Sequence, residues 1–230
     1  MSNAPIALRM GEIQKLGEAC EAEVIPADAT SIEELEELID KSMETLGGKL
    51  DFILHAIGMS SNIRKKRPYT DLNYDWLLKS MDVSAISFHK VMQTAWKKEA
   101  MNDWGSIVGL SYIGAQRAYS FYSDMADSKA ALESIARSFG YHFGRRNNVR
   151  VNTISQSPTP TKAGSGIQGF DKFSTFADKM SPLGNATADE CADACVLMFS
   201  DLSRKITMQN IFHDGGYSTT GISEDVMDMF

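Results

Sequence analysis

The sequence predicts an α/β domain built on a doubly wound parallel sheet. Apolar runs of strand length recur along the chain, and stretches with a helical apolar period separate them. At 230 residues, with 43% hydrophobic and 23% charged side chains, the chain suffices for one such domain with a full core. "EVIPA" reads as the first strand. "SIEELEELIDKSMETLG" follows as an amphipathic helix, with Ser31 as N-cap and Glu34 completing a capping box. "LDFILHAIG" is a strand buried on both faces, residues 73–100 are helical, and "GSIVGLSY" is the next strand. A long helix runs from about 120 to 145, then "NVRVNTISQS" forms a strand. A loop rich in Pro, Thr and Gly at 157–169 leads through a short helical stretch to the helix "TADECADACVLMFS" and the strand "ITMQNIFHDGG". There is no repeat, low-complexity segment or linker, so residues 1–230 are expected to form a single domain.

Charge and composition exclude several function classes. A net charge of −7 argues against nucleic acid as the main partner. "RKKR" at 64–67 is the one basic cluster, either a solvated loop or a docking spot for an acidic partner. The longest apolar runs are too short to span a membrane. "MSNAPIALRMGEI" has no basic region followed by an apolar core. Cys191 and Cys195, four apart on a helix, read as buried thiols, and with Cys20 they make an odd count. A reducing cytoplasm is the expected location. The four histidines show no metal-ligand spacing, and no metal is expected.

In an open α/β sheet, ligands bind beyond the carboxyl ends of the strands. Here those ends carry residues 26–28, 55–58, 110–112 and 155–161. Tyr122 and Lys129 open the helix after the third of them. Seven residues make nearly two helical turns, which places both side chains on one face, roughly 10 Å apart. Helical side chains lean toward the N-terminus, so Lys129 points back at Tyr122. An ammonium near a phenol is expected to lower the phenol pKa.

These motifs resemble the short-chain dehydrogenase/reductase family and, within it, the bacterial enoyl-[acyl-carrier-protein] reductases. The resemblance rests on Tyr112, Tyr122 ten positions later and Lys129 seven positions after that. "VRVNTIS", "AGSGI", "SPLGNAT", "FSDLSRKIT" and "HDGGYS" follow in the family's order. It implies a Rossmann-type fold, NADH as cofactor, an enoyl substrate carried on acyl carrier protein, and a homotetramer. Tyr112, Tyr122 and Lys129 match the catalytic positions, Lys129 also holding the nicotinamide ribose. Asp28 and Ala29 match the pair beside the adenine. Ile57 and Gly58, after Ala56, match the stretch against the cofactor, and Ser111 a residue beside the nicotinamide. Thr159, Pro160, Thr161, Lys162 and Ala163 match the loop over the carboxamide and pyrophosphate. Ser60, Tyr112 and Tyr122 match substrate contacts, and 157–180 a substrate-binding lid.

Two departures qualify that expectation. The family's opening strand, Gly-rich turn and helix have no counterpart here, so an N-terminally truncated sheet with unpaired neighbouring strands is expected. In "GIQGFDK", only Lys172 keeps a basic residue where the family offers several to the carrier protein, so docking is weaker or has moved toward Arg64–Arg67. Two alternatives stay open: a reductase of a carbonyl substrate such as a 3-oxoacyl thioester, and an inactive fragment unable to hold the dinucleotide.

Overall fold

The computed structural model describes residues 2–3, 11–159 and 169–229. Four parallel strands form the main sheet: β3 (Leu50–His55), β4 (Met101–Ser111), β5 (Arg150–Gln156) and β6 (Asn210–His213), in that spatial order. A separate two-stranded parallel sheet pairs β1 (Ser2–Asn3) with β2 (Ile25–Pro26). No described strand joins β2 to β3.

Strand alternation sends side chains to two layers. Ile107 of β4 and Val151 of β5 face helices α2 (Ile32–Leu46), α5 (Ser87–Lys97) and α6 (Met125–Asn147). Their neighbours Val108 and Ile154 face α8 (Ala188–Phe199), against Cys195 and Met198. Helices on both faces make the sheet doubly wound, as the sequence predicts. The α8 face is incompletely covered over β3, where Phe52 and Leu54 remain 54% and 48% exposed. Phe52 stacks on Phe199 at 4.9 Å between ring centroids. The remaining helices are α1 (Glu12–Ala19), α3 (Ser61–Arg64), α4 (Tyr74–Met81), α7 (Phe170–Met180) and α9 (Glu224–Met227). No helix among the described residues is long and apolar enough to cross a membrane.

Several local expectations change. Ser31 caps α2 by accepting from Glu34 N at 3.2 Å. The Glu34 carboxylate accepts instead from Asp28 N at 2.7 Å, so the reciprocal half of the box is not made there. A full capping box occurs at Thr187 and Glu190, ahead of α8. The helical stretch at 73–100 is split by a π turn at Asp82–Ile86. Its Ser84 hydroxyl donates to Met59 O at 3.0 Å and accepts from Met59 N at 2.9 Å. The π turn thus fixes the chain just past β3, and such turns recur at functional sites.

Candidate active site

The carboxyl ends of β3, β4 and β5 open into one cavity of about 290 Å³. Residues 56–60, 110–112 and 156–159 wall it, with Tyr122, Met125 and Lys129 opposite. This is the crevice where parallel α/β sheets hold ligands. At Gly58 an added Cβ would sit 2.9 Å from Met125 Cε and 3.8 Å from Lys129 Nζ. The missing Cβ leaves room for the ends of the Met125 and Lys129 side chains against the β3 terminus. His55 is 2% exposed, holds Ser87 Oγ at 2.8 Å through Nε2, and packs with a tilted ring against Phe88. Burial pushes its pKa down to about 3, so it packs as a neutral ring.

Tyr122 and Lys129 both line the cavity, but not from one helix face. Tyr122 precedes α6, in a turn where Met125 N donates to Tyr122 O at 3.2 Å. Ser123, between them, has φ +46°, a left-handed conformation uncommon outside glycine and typical of strained functional turns. The expected lowering of the phenol pKa is also overturned. Burial pushes the Tyr122 phenol well above its ordinary value. Lys129 directs its Nζ to Leu110 O at 2.6 Å, and burial lowers its pKa to about 8 against the opposing pull of Glu133. The site therefore presents a neutral phenol and a buried cation that titrates close to neutrality.

Tyr112 packs its ring 4.9 Å from that of Tyr122. Its buried hydroxyl has no hydrogen-bond partner among the described residues. Burial raises its pKa as well. An unpaired buried hydroxyl is costly and fits a site that receives a polar ligand atom. Beneath both rings lies Gly114, where a Cβ would stand 2.6 Å from Tyr122 Cδ1 and 3.1 Å from Tyr112 Cδ1. Gly114→Ala must displace the Tyr122 ring. A misplacement of about 1 Å costs about 10²-fold in rate. We expect that order of loss in kcat together with a lower melting temperature from the overpacked ring, and retained kcat would show that the ring relaxes at no cost to the reaction.

The other expected residues fall into three groups. Ile57, Gly58, Ser111 and Thr159 line the same cavity. Thr159 donates to Ser157 O and Ala186 O, both at 3.2 Å, which ties this segment to the turn before α8. Ser60 also lines it, but its one hydrogen is given to Asp124 Oδ1 at 2.5 Å, while it caps α3 by accepting from Ile63 N. Asp124 is fully buried and also accepts from Asn62 Nδ2 at 2.8 Å. Asp28 and Ala29 do not line the cavity; the Asp28 carboxylate closes its own turn on Thr30 N at 2.8 Å. Pro160, Thr161, Lys162 and Ala163 lie outside the described residues, as does the lid between 160 and 168.

Sequence reasoning missed Gly114 and Phe121, which depend on contacts between distant segments. It read Arg64 only as part of a basic run, yet Arg64 lines the cavity from the end of α3. Arg67 pairs with Asp71 at 2.7 Å, whereas Arg64, Lys65 and Lys66 make no ion pair among the described residues.

Known proteins resemble this chain in sequence and fold. A family model described as enoyl-(acyl carrier protein) reductase matches residues 3–218. The chain is 34% identical over 200 residues to enoyl-[acyl-carrier-protein] reductase [NADH] 2 of Rhizobium meliloti, covering 86% of this chain and 73% of that protein. It is 35% identical over 182 residues to reductase 1 of the same organism, covering 79% of this chain and 66% of that one. The crystal structure of the FabI–NADH complex from Alistipes finegoldii superposes with a TM-score of 0.97 at 60% identity, over 100% of this chain and 81% of that chain. The Aquifex aeolicus enoyl-[acyl-carrier-protein] reductase (NADH) gives a TM-score of 0.88 at 28% identity, over 96% of this chain and 85% of that chain. The chain belongs to the enoyl-(acyl carrier protein) reductase family.

Proposed function

We propose that the chain reduces trans-2-enoyl-[acyl-carrier-protein] to the acyl form with NADH, in fatty-acid elongation in the cytoplasm. The observation that carries this reading is one cavity, walled by Met125, Phe121 and Phe173, that holds a neutral buried phenol beside a buried lysine. The nicotinamide end of the cofactor fits what is present: a close approach at Gly58, the Lys129 ammonium and the Ser111 hydroxyl.

When bound, NADH supplies the hydride that reaches C3 of the enoyl thioester. Negative charge then develops on the thioester oxygen, and Tyr122, kept protonated by burial, donates a hydrogen bond to it; a proton taken up at C2 of the enolate completes the acyl product. Lys129 keeps the local potential positive and holds the ribose hydroxyls. Tyr112, whose hydroxyl has no partner among the described residues, walls the acyl side. Asp28 and Ala29 are assigned to the adenine end, and 159–163 to the loop over carboxamide and pyrophosphate.

NADH oxidation with crotonyl thioester tests the reading, with acetoacetyl thioester as the control for a carbonyl reductase. Turnover of the first alone supports enoyl reduction, and turnover of the second alone overturns it. The interruption between β2 and β3 favours one other reading, a chain unable to hold the dinucleotide. Absence of both turnover and NADH binding would establish that one.

The proposed assembly is a homotetramer. A groove of about 610 Å³ between α5 and α6 carries Trp96, Phe139, His89 and His142, a surface suited to a second copy. Light scattering is expected to give four times the chain mass, and a monodisperse monomer would contradict the assembly.

A further inference from the structure

Glu133 is 5% exposed on α6, one turn beyond Lys129, and a carboxylate so placed needs partners. Among the described residues it has two, Ser111 at the end of β4 and Gln116 just beyond it. Ser111 Oγ donates to Oε1 at 2.7 Å, and Gln116 Nε2 donates to Oε2 at 3.1 Å. A serine hydroxyl has one hydrogen. With that hydrogen held by Glu133, Ser111 offers only lone pairs to the cavity it lines.

We propose that Glu133 is a positioning residue for the cofactor end of the site: it fixes Ser111 as a hydrogen-bond acceptor, which selects an N–H donor in the bound ligand, and it balances the buried Lys129 charge. This rests on the NADH reading for the identity of the donor, a carboxamide N–H. The link between Glu133 and Lys129 does not. Among the described residues, the groups that face the Lys129 ammonium are His55 from the end of β3, Tyr122 from the turn before α6, Glu133 from α6 and the Leu110 carbonyl of β4. His55 is neutral and Tyr122 protonated in the working range, so Glu133 supplies the only opposing charge among them.

Glu133→Gln keeps the size of the side chain but leaves one acceptor for two donors. Its amide N–H₂ then competes to donate, which frees or reverses the Ser111 hydrogen. The test uses the full chain, Glu133→Gln, Ser111→Ala and the double variant. NADH binding is read by fluorescence titration, and the Lys129 ammonium by ¹⁵N NMR without cofactor. Each single variant is expected to weaken NADH binding about tenfold, consistent with loss of one hydrogen bond to a polar ligand. The double variant is expected to be no weaker than Glu133→Gln, since both changes break the same link. Glu133→Gln is expected to lower the Lys129 midpoint by about one unit, so that binding fades at lower pH, while Ser111→Ala leaves the midpoint in place.

Losses that multiply in the double variant would overturn the positioning role. An unmoved Lys129 midpoint in Glu133→Gln would overturn the charge balance. If the parent chain bound no NADH, the cofactor reading would fail, and the lysine midpoint would still decide for or against Glu133. Should Glu133→Gln fail to fold, Ser111→Ala, which leaves α6 intact, carries the test: unchanged NADH binding there would overturn the proposal.

Discussion

Replacing Tyr122 with phenylalanine is expected to lower kcat by about 10²–10³-fold, the usual cost of removing one donor from a developing oxyanion. The substitution deletes a single oxygen. The ring, which rests on Gly114 and against Tyr112, keeps its packing, so the melting temperature and NADH affinity should stay close to those of the parent. Steady-state kinetics with crotonyl thioester separate the two effects, because a donor acting only in the transition state moves kcat and leaves ground-state binding alone. A kcat within fivefold of the parent would remove Tyr122 from that role. The unpartnered hydroxyl of Tyr112 would then be the next donor to test, by Tyr112→Phe.

Phe88→Ala is expected to cost about 3–5 kcal/mol of stability, as large-to-small changes in a rigid core do. Phe88 is fully buried on α5, packs tilted against His55 at 4.9 Å between ring centroids, and fills the space above Gly109, where a Cβ would lie 3.0 Å from its ring. Leu132 of α6 borders the same spot. Removing the ring opens a cavity between α5, α6 and the sheet directly beneath the candidate site. Denaturant titration measures the loss as a drop in midpoint at nearly constant slope. Water entering the cavity would relieve the burial of His55, so its NMR titration should rise from about 3 toward the ordinary value. A loss below about 1.5 kcal/mol would mean that α5 settles into the gap.

Local pattern made much of the fold legible. Apolar runs of strand length flanked by helical periods gave the order of the sheet elements from β3 to β6, and Ser31 marked the start of α2. The position of Tyr122 and Lys129 just after a strand placed both at the carboxyl end of the sheet, where the cavity lies. Those features depend on neighbours in sequence, or on the general rule for parallel sheets.

Only the tertiary structure decided the rest, because the groups involved are remote along the chain. Spacing placed Tyr122 on a helix, whereas a left-handed Ser123 puts it in the turn before α6. Proximity to Lys129 argued for an acidic phenol; burial dominates, and Lys129 turns to the Leu110 carbonyl, so Tyr122 stays a neutral donor. Asp28 closes its own turn, and Ser60 gives its hydrogen to a buried Asp124 sixty-four residues away. Gly114 and Glu133 carry no motif. Their importance comes from a missing Cβ beneath two tyrosine rings and from a carboxylate that two remote donors share. The sequence by itself determined which chemical groups reach this end of the sheet. Desolvation and long-range packing, which no short pattern encodes, decided their charge states and their partners.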